Sequence, residues 1–190
     1  MKITPAFIQE VFAKATLLHS HDDIMKAFDG MAEQMQAELA DKNPVLLTVM
    51  HGGLMTASEL AKRLNFPLQM DYVHATRYRG ATKGGASVHW IHEPALASIR
   101  NRHVVIVDDI LDGGITLSAI IEYCMGNGAE KVYTAVLLDK TEARDPEGWA
   151  KADFTGIETD NFYVFGFGLD YHEYLRNIPA IYKVAPEHML

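Results

Sequence analysis

Three carboxylates and two glycines stand together in the middle of the chain: Asp108, Asp109, Asp112, Gly113 and Gly114, with Thr116 just beyond. Ahead of them runs Val104-Val105-Ile106-Val107, and behind them a run of helix formers from Leu117 to Met125. Glycines let a backbone approach an anion closely, and the unpaired N–H groups of a first helical turn point at it. The helix dipole adds about 0.3–1 kcal/mol to such binding, and about 2 kcal/mol in a partly buried site. A phosphate alone does not explain three acids beside it. A ligand that also carries hydroxyls, a metal ion or a base in need of a proton does. Ribose 5-phosphate meets the requirement: the loop takes the phosphate, and Asp108 and Asp109 face the sugar hydroxyls. A plain strand-to-helix turn capped by acids is the competing reading. Two adjacent acids at the end of a buried strand are, however, costly without partners.

Other stretches carry chemistry of their own. His51-Gly52-Gly53 is a second Gly turn between an apolar strand, Val45–Met50, and a helix over 54–64; it suits a second anion or a simple connection. Lys140 follows a strand over 132–138, at the end where ligands of open α/β sheets sit. It is placed to reach a ligand carbonyl, or to be a surface lysine. The stretch 76–85 is polar, Gly-rich and basic, with Arg77, Arg79 and Lys83. It is longer than the usual hairpin connection of about 2–5 residues. A lid over an anion and a solvated hairpin tip account for it equally well. The tract 161–177 is aromatic, contains Gly166 and Gly168, and carries Asp170 and Arg176. An aromatic there can stack on a heterocycle, worth about 1–3 kcal/mol per base; Phe165 and Phe167 read better as core. His19 and His21 complete no metal-ligand set, and His89 and His92, three apart in a strand, face opposite sides.

These residues need a frame. The first forty residues read as helical: Ser20 and Asp23 make a helix start, and Ile24, Phe28, Met31, Met35 and Leu39 recur at helical spacing. Pro44 ends that region. Strands follow at 45–50, 69–75, 87–92, 104–107 and 132–138. The helix after the central acids stops at Gly126-Asn127-Gly128. Residues 143–152 are irregular, with Pro146 and Gly148. The expectation is an α/β fold in one domain, 1–190: a mostly parallel twisted sheet flanked by helices, its core about 40–145. A small hood is expected from 1–40 and 146–190.

The chain has 190 residues, 48% of them hydrophobic, with 17 Lys and Arg against 25 acids and a net charge of −8. That balance argues against a nucleic-acid surface, which needs clustered cations. Cys124 is the only cysteine, so no intrachain disulfide forms. No stretch is apolar enough for a membrane span, and a soluble cytoplasmic protein is expected.

Val104–Leu117 resembles the phosphoribosyl-pyrophosphate (PRPP) motif of the type I phosphoribosyltransferases. Together with Met50–Gly53, Lys140 and Gly168–Arg176, it resembles the hypoxanthine-guanine branch of that family in particular. The resemblance implies transfer of the 5-phosphoribosyl group from PRPP to a 6-oxopurine, hypoxanthine or guanine, giving the nucleoside monophosphate and pyrophosphate. It implies Mg²⁺ as cofactor and a homodimer or homotetramer as assembly. Asp108 and Asp109 would bind the ribose hydroxyls, directly or through Mg²⁺. Asp112 would exchange a proton with purine N7. The amides of Gly113, Gly114, Ile115, Thr116 and Leu117 and the Thr116 hydroxyl would hold the 5′-phosphate. His51, Gly52 and Arg176 would contact pyrophosphate, with a cis peptide at Met50–His51. Lys140 would meet the 6-oxo group, Tyr163 would stack on the base, and the Val164 main chain would bond its edge. Asp170 would sit near the base and a second metal. The basic loop would close over PRPP.

Two positions depart from the family pattern. Gly113 stands where threonine or serine is usual, which removes a hydroxyl bond worth about 0.5–1.5 kcal/mol, and Ile115 stands where lysine is frequent. Weaker PRPP binding follows. Two rivals remain: a transferase preferring xanthine or guanine, and a non-catalytic PRPP sensor that binds nucleic acid. The acidic charge and the presence of Asp112 and Lys140 favour an enzyme over the sensor.

Overall fold

A computed structural model of the chain describes residues 3–77 and 88–189. In chain order its main elements are α1 (Pro5–Lys14), β1 (Thr16–His19), α2 (His21–Leu39), β2 (Val45–Val49), α3 (Gly53–Arg63), β3 (Gln69–Arg77), β4 (Val88–His92), β5 (His103–Leu111), α4 (Ile115–Gly126), β6 (Lys131–Asp139), β7 (Phe154–Glu158), β8 (Val164–Phe165) and β9 (Ile181–Lys183). Six strands form a sheet in the order β4-β3-β2-β5-β6-β7. Neighbours are parallel except β3 and β4.

Parallel strands are covered on both faces, which is why their apolar runs are continuous. Every residue of β2 is buried, and Val104 to Val107 have no exposure at all. Alternate side chains serve opposite faces. Leu46, Val105, Val107, Ala135 and Leu137 pack with α2 and α3 through Phe28, Met31, Met35 and Leu60. Leu47, Val49, Val104, Ile106 and Val136 pack with α4 through Leu117, Ile120, Ile121 and Cys124. Burial there pushes the Cys124 thiol up to about 12.

A second, antiparallel sheet has the order β1-β9-β8. Under it α1 supplies Ile8 and Val11 to a cluster with Phe165, Tyr171 and Val184.

The structure corrects three expectations. The helical region of the first forty residues is interrupted by β1, because Thr16 and Leu17 pair with Lys183 and Tyr182, partners invisible to local periodicity. The start at Ser20 is as read: Asp23 N–H donates to Ser20 Oγ at 3.3 Å, and Ser20 N–H to the Asp23 carboxylate at 3.0 Å. The central strand does not end at its acids. β5 runs through Asp108 and Asp109, held by β6 as far as the Leu111–Asp139 pair. Finally, α2 and β7 were expected in the hood but pack with the large sheet, Phe154 lying among the α2 core residues. Of the stretch 76–85 expected to close over a ligand, Thr76 and Arg77 belong to β3, and the rest, with Arg79 and Lys83, lies outside the described residues. Among the described residues no helix is long and apolar enough to cross a membrane.

Candidate active site

The carboxyl ends of β2, β5 and β6 open into a cleft of about 400 Å³, covered from the other side by residues 163–176. Outside the basic stretch 76–85, every residue given a site role from the sequence lines this one cleft.

The loop after β5 is shaped by Gly114, whose φ of +82° is a left-handed conformation that glycine adopts without strain. Gly114 caps α4 with no side-chain hydrogen bond, so no cap side chain competes for the amides of Ile115, Thr116 and Leu117. The loop's carbonyls are taken from outside: Asp145 N–H donates to Gly113 at 3.0 Å and Trp149 N–H to Gly114 at 3.1 Å. The fit is tight. A Cβ on Gly148 would fall 1.8 Å from the Gly113 oxygen, and one on Gly114 would fall 2.6 Å from the Trp149 nitrogen.

Asp108 is half-buried and Asp109 buried. The Asp109 N–H donates to the Asp108 carboxylate at 2.9 Å. Burial, and then the Asp109 charge, hold the Asp108 carboxyl well above the usual carboxylate range. Burial also raises Asp109, with Asp170 adding to it and Arg176 opposing it. Among the described residues no three His, Cys, Asp or Glu side chains gather to cage a metal. The pair nonetheless fits Mg²⁺, which takes one or two carboxylates and completes its shell with substrate oxygens and water. A divalent cation would relieve the repulsion that raises both acids.

Beside them Lys140 is only 6% exposed, at the end of β6. Its Nζ lies 3.6 Å from the outward-facing Asp112 carboxylate. Tyr163 and Val164 line the same side. β8 is an edge strand, and the Tyr163 carbonyl accepts from Val184 N–H at 2.9 Å. A trans peptide points its N–H opposite its C=O, so the Val164 N–H faces away from β9.

The opposite wall is the turn after β2, with a cis peptide at Met50–His51 as expected. It is pressed against its neighbours. A Cβ on Gly52 would meet the Asp109 carboxylate at 2.1 Å, and a Cβ on Gly168 would meet the Gly52 carbonyl at 2.3 Å. Gly168 has φ +98°. Arg176 then locks the tract, donating to the Gly168 carbonyl at 2.7 Å and pairing with Asp170 at 2.8 Å. Asp170 also accepts from Glu173 N–H at 2.8 Å.

Arg144 was missed by sequence reasoning, which saw only an irregular stretch. Its guanidinium donates to the carbonyls of Leu111 (2.8 Å), Asp112 (2.6 Å), Lys140 (2.9 Å) and Ala150 (2.9 Å), and it pairs with the buried Asp139. The available signal was an arginine four residues beyond Lys140 in a segment rich in turn formers. His74, beside His51, was missed as well.

Paired acids near the end of the central strand, a glycine loop beyond it and a helix start with no side-chain cap suit an anionic ligand that also carries hydroxyls, on an α/β fold. In agreement, a model of the phosphoribosyl transferase domain matches residues 15–172. The hypoxanthine-guanine phosphoribosyltransferase of Streptococcus pneumoniae strain R6 is 35% identical over 165 residues, 87% of this chain and 90% of that one. The Bacillus subtilis protein of the same name is 32% identical, over 90% and 93% of the two chains. The solved hypoxanthine phosphoribosyltransferase of Staphylococcus aureus superposes over the full length of both chains with TM-score 0.86 and 28% identity. The chain belongs to the phosphoribosyltransferase family, on its hypoxanthine-guanine branch.

Proposed function

We propose that this chain serves purine salvage by transferring the 5-phosphoribosyl group of PRPP to hypoxanthine or guanine, releasing pyrophosphate. The observation that carries the reading is the Lys140–Asp112 pair, 3.6 Å apart and flanked by Tyr163 and the glycine loop. Such a pair suits the one edge of a 6-oxopurine on which the 6-oxo group and N7 lie side by side. Lys140 donates to the 6-oxo group, which selects against the amino donor of adenine. Asp112 manages the proton at N7, and a placed acid or base contributes about 10²–10⁴-fold. Tyr163 stacks on the ring, and the outward Val164 N–H meets its edge.

The amides of Gly113 to Leu117 and the Thr116 hydroxyl hold the 5′-phosphate. Asp108 and Asp109 orient the ribose and would hold Mg²⁺. Asp170 would serve a second ion, since a carboxylate has about four lone-pair sites and two are engaged here by Arg176 and Glu173. The metal supplies charge neutralisation on the pyrophosphate. The carboxylates also favour the positive charge that develops on the ribosyl carbon. His51, Gly52 and Arg176 face the pyrophosphate.

The net charge of −8 and the paired Asp112 and Lys140 support an enzyme over a nucleic-acid-binding sensor. We read the working form as a cytoplasmic homodimer or homotetramer, on the family resemblance; light scattering on the purified protein checks the assembly. The test of function is incubation with PRPP, Mg²⁺ and, separately, hypoxanthine, guanine, xanthine and adenine. Nucleotide from hypoxanthine and guanine is expected. Adenine as best substrate, or no turnover with any base, overturns the reading.

A further inference from the structure

Residues 144–150 form a short strap behind the glycine loop. Gly148 N–H donates to the Asp145 carbonyl and Arg144 Nε to the Ala150 carbonyl, each at 2.9 Å, so the strap is closed on itself. Three consecutive carbonyls of the loop are taken by it in order. Asp112 accepts from the Arg144 guanidinium at 2.6 Å, Gly113 from Asp145 N–H at 3.0 Å and Gly114 from Trp149 N–H at 3.1 Å. Gly114 also accepts the first bond of α4, from Ser118 N–H at 2.9 Å. Among the described residues only Met50–His51 is a cis peptide, so these loop peptides are trans. A trans peptide points its N–H opposite its C=O. The N–H groups of Gly113, Gly114 and Ile115 therefore point away from the strap. Asp112 to Leu117 line the cleft, and none of residues 144–150 does. The loop lies between strap and cleft, so its carbonyls go to one and its amides to the other.

A pair of glycines left to itself could present either edge of its peptides, because glycine populates both signs of φ about as readily. A carbonyl turned into the cleft would repel a phosphate. We propose that the strap fixes the polarity of the anion cradle, with Gly148 as a positioning residue that acts on the 5′-phosphate through the Gly113 carbonyl. The proposal rests on the phosphoribosyl-transfer reading of the site. Gly148 does not have the left-handed φ of Gly114, so its backbone accepts alanine. A Cβ there would nonetheless fall 1.8 Å from the Gly113 oxygen, and 3.2 Å from the Asp145 oxygen. The Gly113 carbonyl must then leave the strap, and the Gly114 N–H at the other side of that same peptide turns with it. An anion in the cleft works the same link from its other end. It polarises the peptide whose N–H it accepts from, and so strengthens the bond that the carbonyl receives.

The test compares guanosine 5′-monophosphate with guanosine, which differ only in the phosphate, as ligands of the full chain and of its Gly148→Ala variant. The quantity read is the ratio of the two affinities, which a lower folded fraction or a damaged base site does not move. In Gly148→Ala that ratio should fall about tenfold, the worth of one amide bond to a charged group. Hydrogen exchange on the wild type is the second readout and needs no variant. With each ligand at saturation, the Asp145 and Trp149 amides should exchange about twofold or more slower under the monophosphate than under the nucleoside. An unchanged ratio in Gly148→Ala, or equal exchange under the two ligands, overturns the strap. If Gly148→Ala does not fold, the exchange result decides alone. If wild type prefers the monophosphate and either readout is flat, only the strap proposal fails. If wild type binds the monophosphate no better than the nucleoside, the phosphoribosyl-transfer reading fails and this proposal with it.

Discussion

Arg144 donates to the main-chain oxygen of Asp112 at 2.6 Å, and the side chain of that same Asp112 faces Lys140. One guanidinium thus holds the backbone of the acid and, through the Lys140 carbonyl at 2.9 Å, the backbone of its cationic partner. The distance between the two groups proposed to grip the base is set by a residue that need not touch it.

Replacing Arg144 should therefore separate from replacing Asp112. Lysine is a compact point charge and cannot span the carbonyls a planar fork reaches. Arg144→Lys should cost about 3 kcal/mol of stability, because it loosens a buried ion pair with Asp139 and leaves carbonyls unpaired. Asp112→Asn should leave stability nearly unchanged and lower kcat by about 10²–10⁴-fold. Urea unfolding and steady-state kinetics on both variants check this; wild-type stability in Arg144→Lys would count against the clamp.

Gly52→Ala should damage PRPP use more than folding. The added Cβ would sit 2.1 Å from the Asp109 carboxylate, so Asp109 must swing away from the ribose side. A misplacement of about 1 Å can cost about 10²-fold, and that loss is expected in kcat/KM for PRPP. In Gly168→Ala, strain at φ +98° adds to the clash with the Gly52 carbonyl, so its melting temperature should fall further than that of Gly52→Ala.

Stability should depend on pH through Asp108. Its folded pKa is raised by burial and by Asp109, whereas an unfolded carboxyl titrates near about 4. Below that point both states are protonated and there is no penalty. As pH rises through the folded value, the folded state must give up a proton it holds tightly, and stability is lost. Asp108→Asn should then melt higher than wild type at neutral pH, with the gain shrinking towards about pH 4. Melting curves across that range decide it; a constant gain at every pH would contradict the cause given.

Gly113→Thr should tighten PRPP binding. A restored hydroxyl bond to the phosphate is worth about 0.5–1.5 kcal/mol, a fall of roughly 2- to 10-fold in the PRPP Michaelis constant. Unchanged constants would show that the loop amides already satisfy the phosphate.

What the sequence made legible was local. The buried strands at β2 and β5, the Ser20 start of α2 and the two glycine turns all follow from neighbours a few residues apart. The acids, Lys140 and the 163–176 tract were found one by one through motif and resemblance, and they line one cleft. Long-range pairings were not legible. β1 exists because Leu17 meets Tyr182, and β5 outruns its apolar stretch because β6 extends beside it. Arg144 escaped for the same reason: its partners at 111, 112 and 139 come from another loop and strand end, and no periodicity announces them.

The sealed Cys124 has a practical consequence. Its thiol, held at about 12 and wholly covered on the face of α4 that packs against the sheet, stays undissociated under ordinary conditions and out of reach of alkylating reagents. Maleimide uptake by the native chain would therefore report opening of the α4 layer. A cysteine engineered on the surface would be the sole reactive handle for a fluorophore or spin label, with no background from the native thiol.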